Sequence, residues 1–322
     1  MEKHYELFWE AVKKARNVLV VGHRKPDGDA LGSMCAVKIW LSMLGKNVRM
    51  ACVDKPSKRY GFVPHVDEIG TKIDPSFHDL LIVLDCGASY MTNFPNLLTD
   101  KAQVVVNIDH HASNDNFGTI NIVEPKSASA TLILYKILKD IGAEITPEMA
   151  TCLLTGIYND TGSFMHSNTS LEVYEVAADL MKSGAQISQM IRSLFKTNTV
   201  STLKLWGKAF SNAKITKDNF LLSVLKKDDF NNESEVDQLS GAIDYLNMVP
   251  NVEFSFLLKE DGEVVKGSLR TRRDDVDLSK IAQMYGGGGH PKASGFVIPG
   301  KLERDVHYKI VSDKLQSQPL NL

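Results

Sequence analysis

The sequence has no stretch near the roughly 20 consecutive apolar residues that a bilayer-spanning helix needs. Its longest apolar run near the middle is Leu80 to Leu84. Met1 to Arg16 mixes Glu, His, Lys and Trp without an apolar core, so no secretory signal is expected. These absences predict a cytoplasmic protein without a membrane partner. Cysteine is scarce: Cys35, Cys52, Cys86 and Cys152, none paired at zinc-ligand spacing. That excludes a disulfide framework and predicts buried, reduced thiols. A basic excess is missing too, with 37 Lys+Arg against 39 Asp+Glu and a formal net charge of −2. Proteins that wrap duplex nucleic acid usually carry such an excess. Duplex DNA is therefore not an expected partner, and any nucleic-acid substrate should be short or held by a local patch. Neither the GxGxxG nor the GxxxxGK[ST] nucleotide loop occurs, and no internal repeat or low-complexity tract is visible.

What is present is ordinary globular material. The chain has 322 residues, 43% hydrophobic and 24% charged, enough for two domains at about 150 residues each. The first half alternates strand-like and helix-like segments. Asn17–Gly22 (NVLVVG), Leu80–Leu84 (LLIVL) and Val104–Ile108 (VVVNI) are near-continuous apolar runs, as parallel strands covered on both faces should be. Asn47–Val53 is a further strand. Helices are expected over Ala30–Leu44, Ser129–Ile141, from Thr146-Pro147-Glu148 onward, and over Ser170–Lys182. This order predicts an α/β domain built on a doubly wound, mostly parallel sheet. The second half holds helical segments over Gly184–Thr216. Strands follow at Phe220–Leu225, Val252–Leu258, Glu263–Thr271 and Ala293–Ile298, with Asp261-Gly262 as a hairpin turn. That pattern predicts a smaller α+β domain.

Four polar clusters fall just after these core elements, where open α/β sheets place their ligands. His23, Asp27 and Asp29 sit in GHRKPDGDA, a loop stiffened by Pro26 and loosened by Gly28. The bland alternative is that Asp29 caps the next helix and Asp27 forms a turn. Asp85 ends LLIVLD, where a buried carboxylate is costly unless paired or metal-bound. Asp109-His110-His111 ends VVVNIDHH. Asp160, in NDTGSF, opposes the dipole at a helix C-terminus unless a cation compensates. Taken together, three His and five Asp gather at successive element ends of one domain. Four of these carboxylates with two imidazoles suit two divalent cations. Oxygen-rich ligation without thiolate favours Mn²⁺ over structural Zn²⁺. Two such ions about 3.5–4 Å apart can activate a shared water for phosphoryl displacement, with Asp85 a natural bridge.

In the second half, Gly286-Gly287-Gly288-Gly289-His290 would let backbone N–H groups approach a phosphate, with His290 adding a donor. Arg270, at the end of the hairpin strand, can grip a phosphate in a forked geometry, and Lys292 is a weaker candidate. A floppy loop and a surface charge are the bland alternatives.

These motifs resemble the DHH phosphoesterase superfamily. GHRKPDGDALGS, LDCG, DHH and NDTGSF match its motifs in order, and GSLRT, GGGGH and ASG match its DHH-associated domain. The resemblance spans nearly the whole chain and is nearest the two-domain branch of nanoRNases and pAp phosphatases. It implies a DHH catalytic domain over residues 1–190, a helical connector over 191–216, and a substrate-binding domain over 217–322, with a cleft between. It implies that His23, Asp27 and Asp85 hold one metal, and that Asp29, Asp85, His110 and Asp160 hold the other. Asp109 would orient a ligand, and His111 would face the substrate phosphate. Arg270, Gly287, Gly288, Gly289 and His290 would bind substrate. The sequence departs from the pattern at Met165-His166, after NDTGSF.

The expected activity is Mn²⁺-dependent hydrolysis of short RNA and pAp with two ions per chain, Mg²⁺ being the other metal that would serve. A phosphodiesterase for cyclic di-AMP or pApA is the near alternative. An inorganic pyrophosphatase would lack the GGGGH domain, and a non-catalytic nucleotide-binding module would not keep every ligand. A homodimer is compatible with the sequence.

Overall fold

Short apolar runs that leave no polar face suit strands buried on both sides, and Val18–Val21, Leu80–Leu84 and Val105–Ile108 obey this rule. The computed structural model describes residues 3–74, 76–94, 97–98, 104–195, 199–230, 239, 241–304, 308–312 and 315–319. The chain divides into two compact units, Met1–Thr197 and Asn198–Leu322.

The first unit runs α1 (Lys3–Lys14), β1 (Asn17–Val21), α2 (Gly28–Met43), β2 (Asn47–Ala51), β3 (Leu80–Leu84), β4 (Val104–Asp109), β5 (Ile120–Val123), α3 (Ala130–Asp140), α4 (Pro147–Asp160), α5 (Leu171–Lys182) and α6 (Ile187–Phe195). Its sheet is parallel throughout, in the order β2-β1-β3-β4-β5. The order reverses between β1 and β3, and sheets of this kind bind ligands beyond the strand C-termini at such a point. Val18, Val20, Ile82, Leu84, Val106 and Ile108 point to the face covered by α1 to α5. The alternate residues Leu19, Val21, Leu81, Val83 and Val105 meet loop side chains such as Ile73, Met91, Phe94 and Phe117. All four cysteines are buried and free, as expected of reduced thiols.

Helix α2 is buried without a break from Gly28 to Val37, so it lies inside the fold rather than on it. Its neighbour α4 comes unusually near. A Cβ on Gly32 would lie 2.3 Å from the Cys152 carbonyl oxygen, and one on Gly156 would lie 2.3 Å from Asp29 Oδ1. Those two glycines let the helix carrying Asp29 touch the helix ending in Asp160. Helix α4 starts as its sequence predicts, with Thr146 Oγ1 accepting from the Met149 N–H and Pro147 in the first turn.

The second unit runs α7 (Val200–Ser211), β6 (Lys214–Ile215), β7 (Leu221–Leu225), α8 (Ala242–Leu246), β8 (Ser255–Asp261), β9 (Val264–Arg270), α9 (Leu278–Met284), β10 (Gly288–His290), β11 (Ala293–Pro299), β12 (Lys301–Arg304), β13 (Tyr308–Ser312) and β14 (Leu315–Pro319). Six strands form a sheet in the order β10-β11-β9-β8-β7-β6, in which only the β7–β8 pair is parallel. The Asp261-Gly262 turn joins β8 to β9 as predicted, with Gly262 in the left-handed region at φ 61°. Strands β12 to β14 form a separate antiparallel sheet that the sequence reading does not include. The glycine run is not all loop either, because Gly288–His290 pairs with β11. No described helix is long and apolar enough to cross a membrane.

Candidate metal centre

Every candidate in the first unit lies at a strand C-terminus or helix end on one side of the sheet. After β1, the chain passes through His23 and turns into α2. The helix cap is Asp27, not Asp29: Asp27 Oδ1 accepts from the N–H groups of Asp29 (2.9 Å) and Ala30 (3.2 Å). The bland alternative for this loop thus has its two acids exchanged. Asp29 sits inside the first turn and is fully buried. Its Oδ2 accepts from the Ala130 N–H at 2.6 Å, and its Oδ1 accepts from Thr131 N–H (3.0 Å) and Oγ1–H (2.6 Å). The N-terminus of α3 therefore holds this carboxylate in place.

Asp85 follows β3 with φ 55°, a left-handed conformation that costs a non-glycine residue about 1–3 kcal/mol and occurs most often at functional sites. Its side chain is the hub of the cluster. Oδ2 lies 3.4 Å from His23 Nε2, while Oδ1 lies 3.6 Å from His110 Nε2 and 3.7 Å from His111 Nδ1. His110 Nε2 also lies 3.1 Å from Asp160 Oδ2 and 3.9 Å from Asp29 Oδ2. His23 Nε2 is 3.8 Å from Asp27 Oδ1. Two three-residue sets, His23-Asp27-Asp85 and Asp29-Asp85-His110, each bring ligand atoms within 4.8 Å of one another and share Asp85. Both Asp109 oxygens have partners: Oδ1 accepts from His111 Nδ1 at 2.7 Å and Oδ2 from Asn114 Nδ2 at 2.6 Å.

The histidine tautomers suit cation binding. His23 Nδ1 faces the Arg24 carbonyl oxygen at 2.7 Å, and His110 Nδ1 faces the Ser127 carbonyl oxygen at 3.3 Å. A carbonyl only accepts, so Nδ1 carries the hydrogen in both rings. Each neutral ring then points its Nε2 lone pair at carboxylates, an arrangement that is repulsive until a proton or metal ion stands between them. The acid–base behaviour follows. Burial opposes protonation of His23 and His110, but the protonated rings donate hydrogen bonds, His23 to Asp27 and Asp85 and His110 to Asp160 and Asp85, and these outweigh it and push both up. Burial would raise Asp85, yet His110 and His23 draw it well below the usual carboxylate range. Burial and the neighbouring carboxylates push Asp29 and Asp160 up. Protons thus fill the place that divalent cations suit, and the oxygen-rich, thiolate-free donor set fits such ions.

Beyond α4 the backbone makes a left-handed turn, with φ 54° at Gly162, 62° at Ser163 and 65° at Phe164. The Met165-His166 departure has a place in it. A Cβ on Gly162 would strike the His166 ring at 2.2 Å, and His166 Nδ1 faces the Asp160 carbonyl oxygen at 3.3 Å. His166 thereby packs the turn against the residue that carries a candidate ligand.

In the second unit, strand pairing sets Arg270 opposite Ala293 and Ala293 opposite His290. The three form one row across β9, β11 and β10, so the arginine and the glycine run predicted from distant segments do lie together. Arg270 is already engaged: Nε donates to Asp244 Oδ1 at 2.9 Å and Nη1 to the Leu269 carbonyl at 3.0 Å. Two of the glycines have packing reasons. A Cβ on Gly287 would meet the Gly295 carbonyl oxygen at 2.1 Å, and one on Gly289 would meet that of Ala293 at 2.6 Å, whereas Gly288 has open space.

Sequence reasoning passed over Asn107, Asn114, Thr131, Tyr60 and the amide of Asn159. Asn107 Nδ2 donates to the Val83 and Cys86 carbonyls and, with Asn114, ties the Asp85 and Asp109 loops together. The one local signal was a buried-run asparagine inside VVVNI.

Comparison with known proteins identifies the family of the chain. Residues 17–157 match the model of the DHH family, N-terminal domain, and residues 217–317 match the DHHA1 domain. The chain is 30% identical over 321 residues to the bifunctional oligoribonuclease and PAP phosphatase NrnA of Thermus thermophilus, covering 97% of this chain and 95% of that protein. It is 25% identical to the Bacillus subtilis protein of the same name, covering 86% and 88%. A crystal structure of an exopolyphosphatase-related protein from Bacteroides fragilis superposes with a TM-score of 0.84 at 26% identity, over 92% of this chain and 91% of that one. With both domain models matched in order and a relative aligned almost end to end, this chain belongs to the DHH family, joining an N-terminal DHH domain to a DHHA1 domain.

Proposed function

We propose that this protein hydrolyses short oligoribonucleotides and 3′-phosphoadenosine 5′-phosphate (pAp) in the cytoplasm, using two Mn²⁺ ions for which Mg²⁺ can substitute. The observation that carries this reading is the position of Asp85, whose two oxygens face the imidazoles of two separate ligand sets. The relatives from Thermus thermophilus and Bacillus subtilis are named for both activities. In this reading His23, Asp27 and Asp85 hold one ion, and Asp29, Asp85, His110 and Asp160 hold the other. Two ions held there would supply a water of lowered pKa and Lewis-acid stabilisation of the phosphoryl oxygens.

The chain's own residues do the rest. Helix α3 fixes Asp29, and the α2 N-terminus fixes Asp27, so neither carboxylate must reorganise during turnover. Asp109 orients His111 by accepting its Nδ1–H. Burial disfavours charge on His111, but the Asp109 hydrogen bond prevails and raises its pKa. The protonated form of His111 is thereby favoured, and its Nε2–H is the donor for a phosphate oxygen in this reading. Residues 1–190 carry the reaction, 191–216 connect, and 217–322 bind substrate. Arg270, His290 and the glycine run Gly287, Gly288 and Gly289, where Gly288 leaves open space, grip the substrate's end phosphate.

The test offers the Mn²⁺-loaded protein pAp, pApA, cyclic di-AMP and a pentaribonucleotide side by side. Turnover of pAp and the short RNA is expected, falling on a much longer RNA. Turnover of cyclic di-AMP alone would overturn the assignment.

A further inference from the structure

A chain of hydrogen bonds enters the metal centre from a segment with no recognised motif. Lys58–Tyr60 is a short 3₁₀ turn between β2 and β3. Tyr60 is 1% exposed and among the largest fully buried side chains. Its hydroxyl donates to Asn159 Oδ1 at 2.9 Å and accepts from Arg59 Nη2 at 2.8 Å. Because Tyr60 donates to the amide oxygen, the Asn159 amide has one orientation, with its NH₂ turned the other way. That NH₂ reaches Asp27 Oδ2 at 3.2 Å and Asp160 Oδ1 at 3.0 Å. These are oxygens left over by other contacts: Asp27 Oδ1 caps α2, and Asp160 Oδ2 faces His110. The rotated amide would instead set an oxygen against two carboxylates. The fold makes room for this wedge, since a Cβ on Gly28 would lie 2.8 Å from Asn159 Cβ.

We propose that Tyr60 and Asn159 are positioning residues that set the spacing of the two metal ions, Asn159 clamping Asp27 of one ligand set to Asp160 of the other and Tyr60 fixing the orientation of the clamp. This rests on the ligand assignment above. Arg59 supports it by polarising the Tyr60 hydroxyl, with its guanidinium carbon 4.7 Å from the ring centroid. A clamp between ligands acts on metal affinity and on kcat, and leaves KM for substrate nearly unchanged.

The test is Mn²⁺ titration by calorimetry, electron paramagnetic resonance of the Mn²⁺ pair, and steady-state kinetics. They are applied to Tyr60→Phe, Asn159→Ala and the double variant, beside Asp85→Asn. Tyr135→Phe, whose hydroxyl serves Asp179 elsewhere, is the structural control. Partners of this kind cost about 10–100-fold in metal affinity when removed. Tyr60→Phe should weaken Mn²⁺ binding in that range, alter the spin-coupled signal and lower kcat. Tyr135→Phe should do none of these. Since Tyr60 acts through Asn159, the double variant should be no worse than Asn159→Ala. Asn159→Ala carries the same comparison should Tyr60→Phe not fold. Wild-type Mn²⁺ affinity and coupling in Tyr60→Phe, or additive losses in the double variant, would overturn the clamp while Asp85→Asn still loses metal. Failure of the wild-type protein to bind Mn²⁺ would overturn the ligand assignment and the clamp with it.

Discussion

In the first unit, Asp29, Asp85 and Asp109 are 0–3% exposed and face imidazoles, with no lysine or arginine paired to them among the described residues. In the second unit, the candidate anion-binding cations Arg270 and Lys292, and the neighbouring Arg273, are half-buried or exposed and paired within their own unit. Arg270 meets Asp244 at 2.9 Å, Arg273 meets Glu253 at 3.0 Å, and Lys292 meets Asp274 at 2.8 Å. The difference is one of solvation. Buried carboxylates cannot be left to water, so their countercharge must come as protons or metal ions. Surface pairs are worth about 0–1 kcal/mol, so under the proposed function a substrate phosphate would displace an internal carboxylate at little cost. One region is preorganised and incomplete without cations; the other is complete and exchangeable.

The largest expected effect breaks the first side of this contrast outright. Chelation should abolish hydrolysis and lower the melting temperature, and Mn²⁺ should restore both. Mass action gives a stabilisation of about 2.7 kcal/mol at a hundred times Kd. Full activity in excess chelator would remove metals from the account.

Next come single residues of the cluster. Asp85→Asn should lower kcat by about 10²–10³-fold, the range for loss of one preorganised electrostatic group, and should reduce Mn²⁺ content. His111→Ala should lower kcat with metal content near wild type, because its partner is substrate. Equal metal loss in the two variants, measured by atomic absorption, would contradict the separate roles.

The charge balance predicts a pH dependence for the metal-free protein. His23, His110, His111, Asp29 and Asp160 are all pushed up on folding. The folded state then binds more protons than the unfolded one. The stability these groups contribute is present below their ordinary values, about 4 for Asp and about 6.5 for His, and is lost as pH rises through the folded ones. Asp85 is pushed down and works the other way, contributing stability above its ordinary value that is lost only in acid. In chelator the protein should therefore melt lower at pH 8 than at pH 6, and Mn²⁺ should raise the melting temperature more at pH 8. Thermal melts across that range check the sign, and a metal increment that shrinks with pH would be the wrong one.

The smallest effects sharpen the second side. Arg270→Ala should cost about 1.5–3 kcal/mol in kcat/KM on pAp, the value of a charged hydrogen bond, with Mn²⁺ binding intact. Asp244→Asn removes the competing carboxylate and should raise kcat/KM, by at most about five-fold for an exposed pair. A loss matching that of Arg270→Ala would mean that Asp244 orients the arginine rather than competing with the substrate.

What the sequence determined by itself follows from period and order. Short runs such as LLIVL between turn signals favour a strand buried on both faces, and β3 is buried at all five positions. Thr146-Pro147 allows only a helix start, and Asp261-Gly262 a tight turn. Asp85, Asp109, His110 and Asp160 were legible because they end such elements, and element ends in a parallel sheet converge. The tertiary structure alone decided the rest. That Asp27 rather than Asp29 caps α2 depends on α3 arriving over Asp29, which is 101 residues from Ala130. Tyr60 meets Asn159 across 99 residues, and Arg270 meets Asp244 across 26. A hydrogen bond between distant residues has no period to read. It exists only once strand order and the close approach of α2 and α4 bring its two ends together, and in this protein those bonds orient the residues the motifs supply.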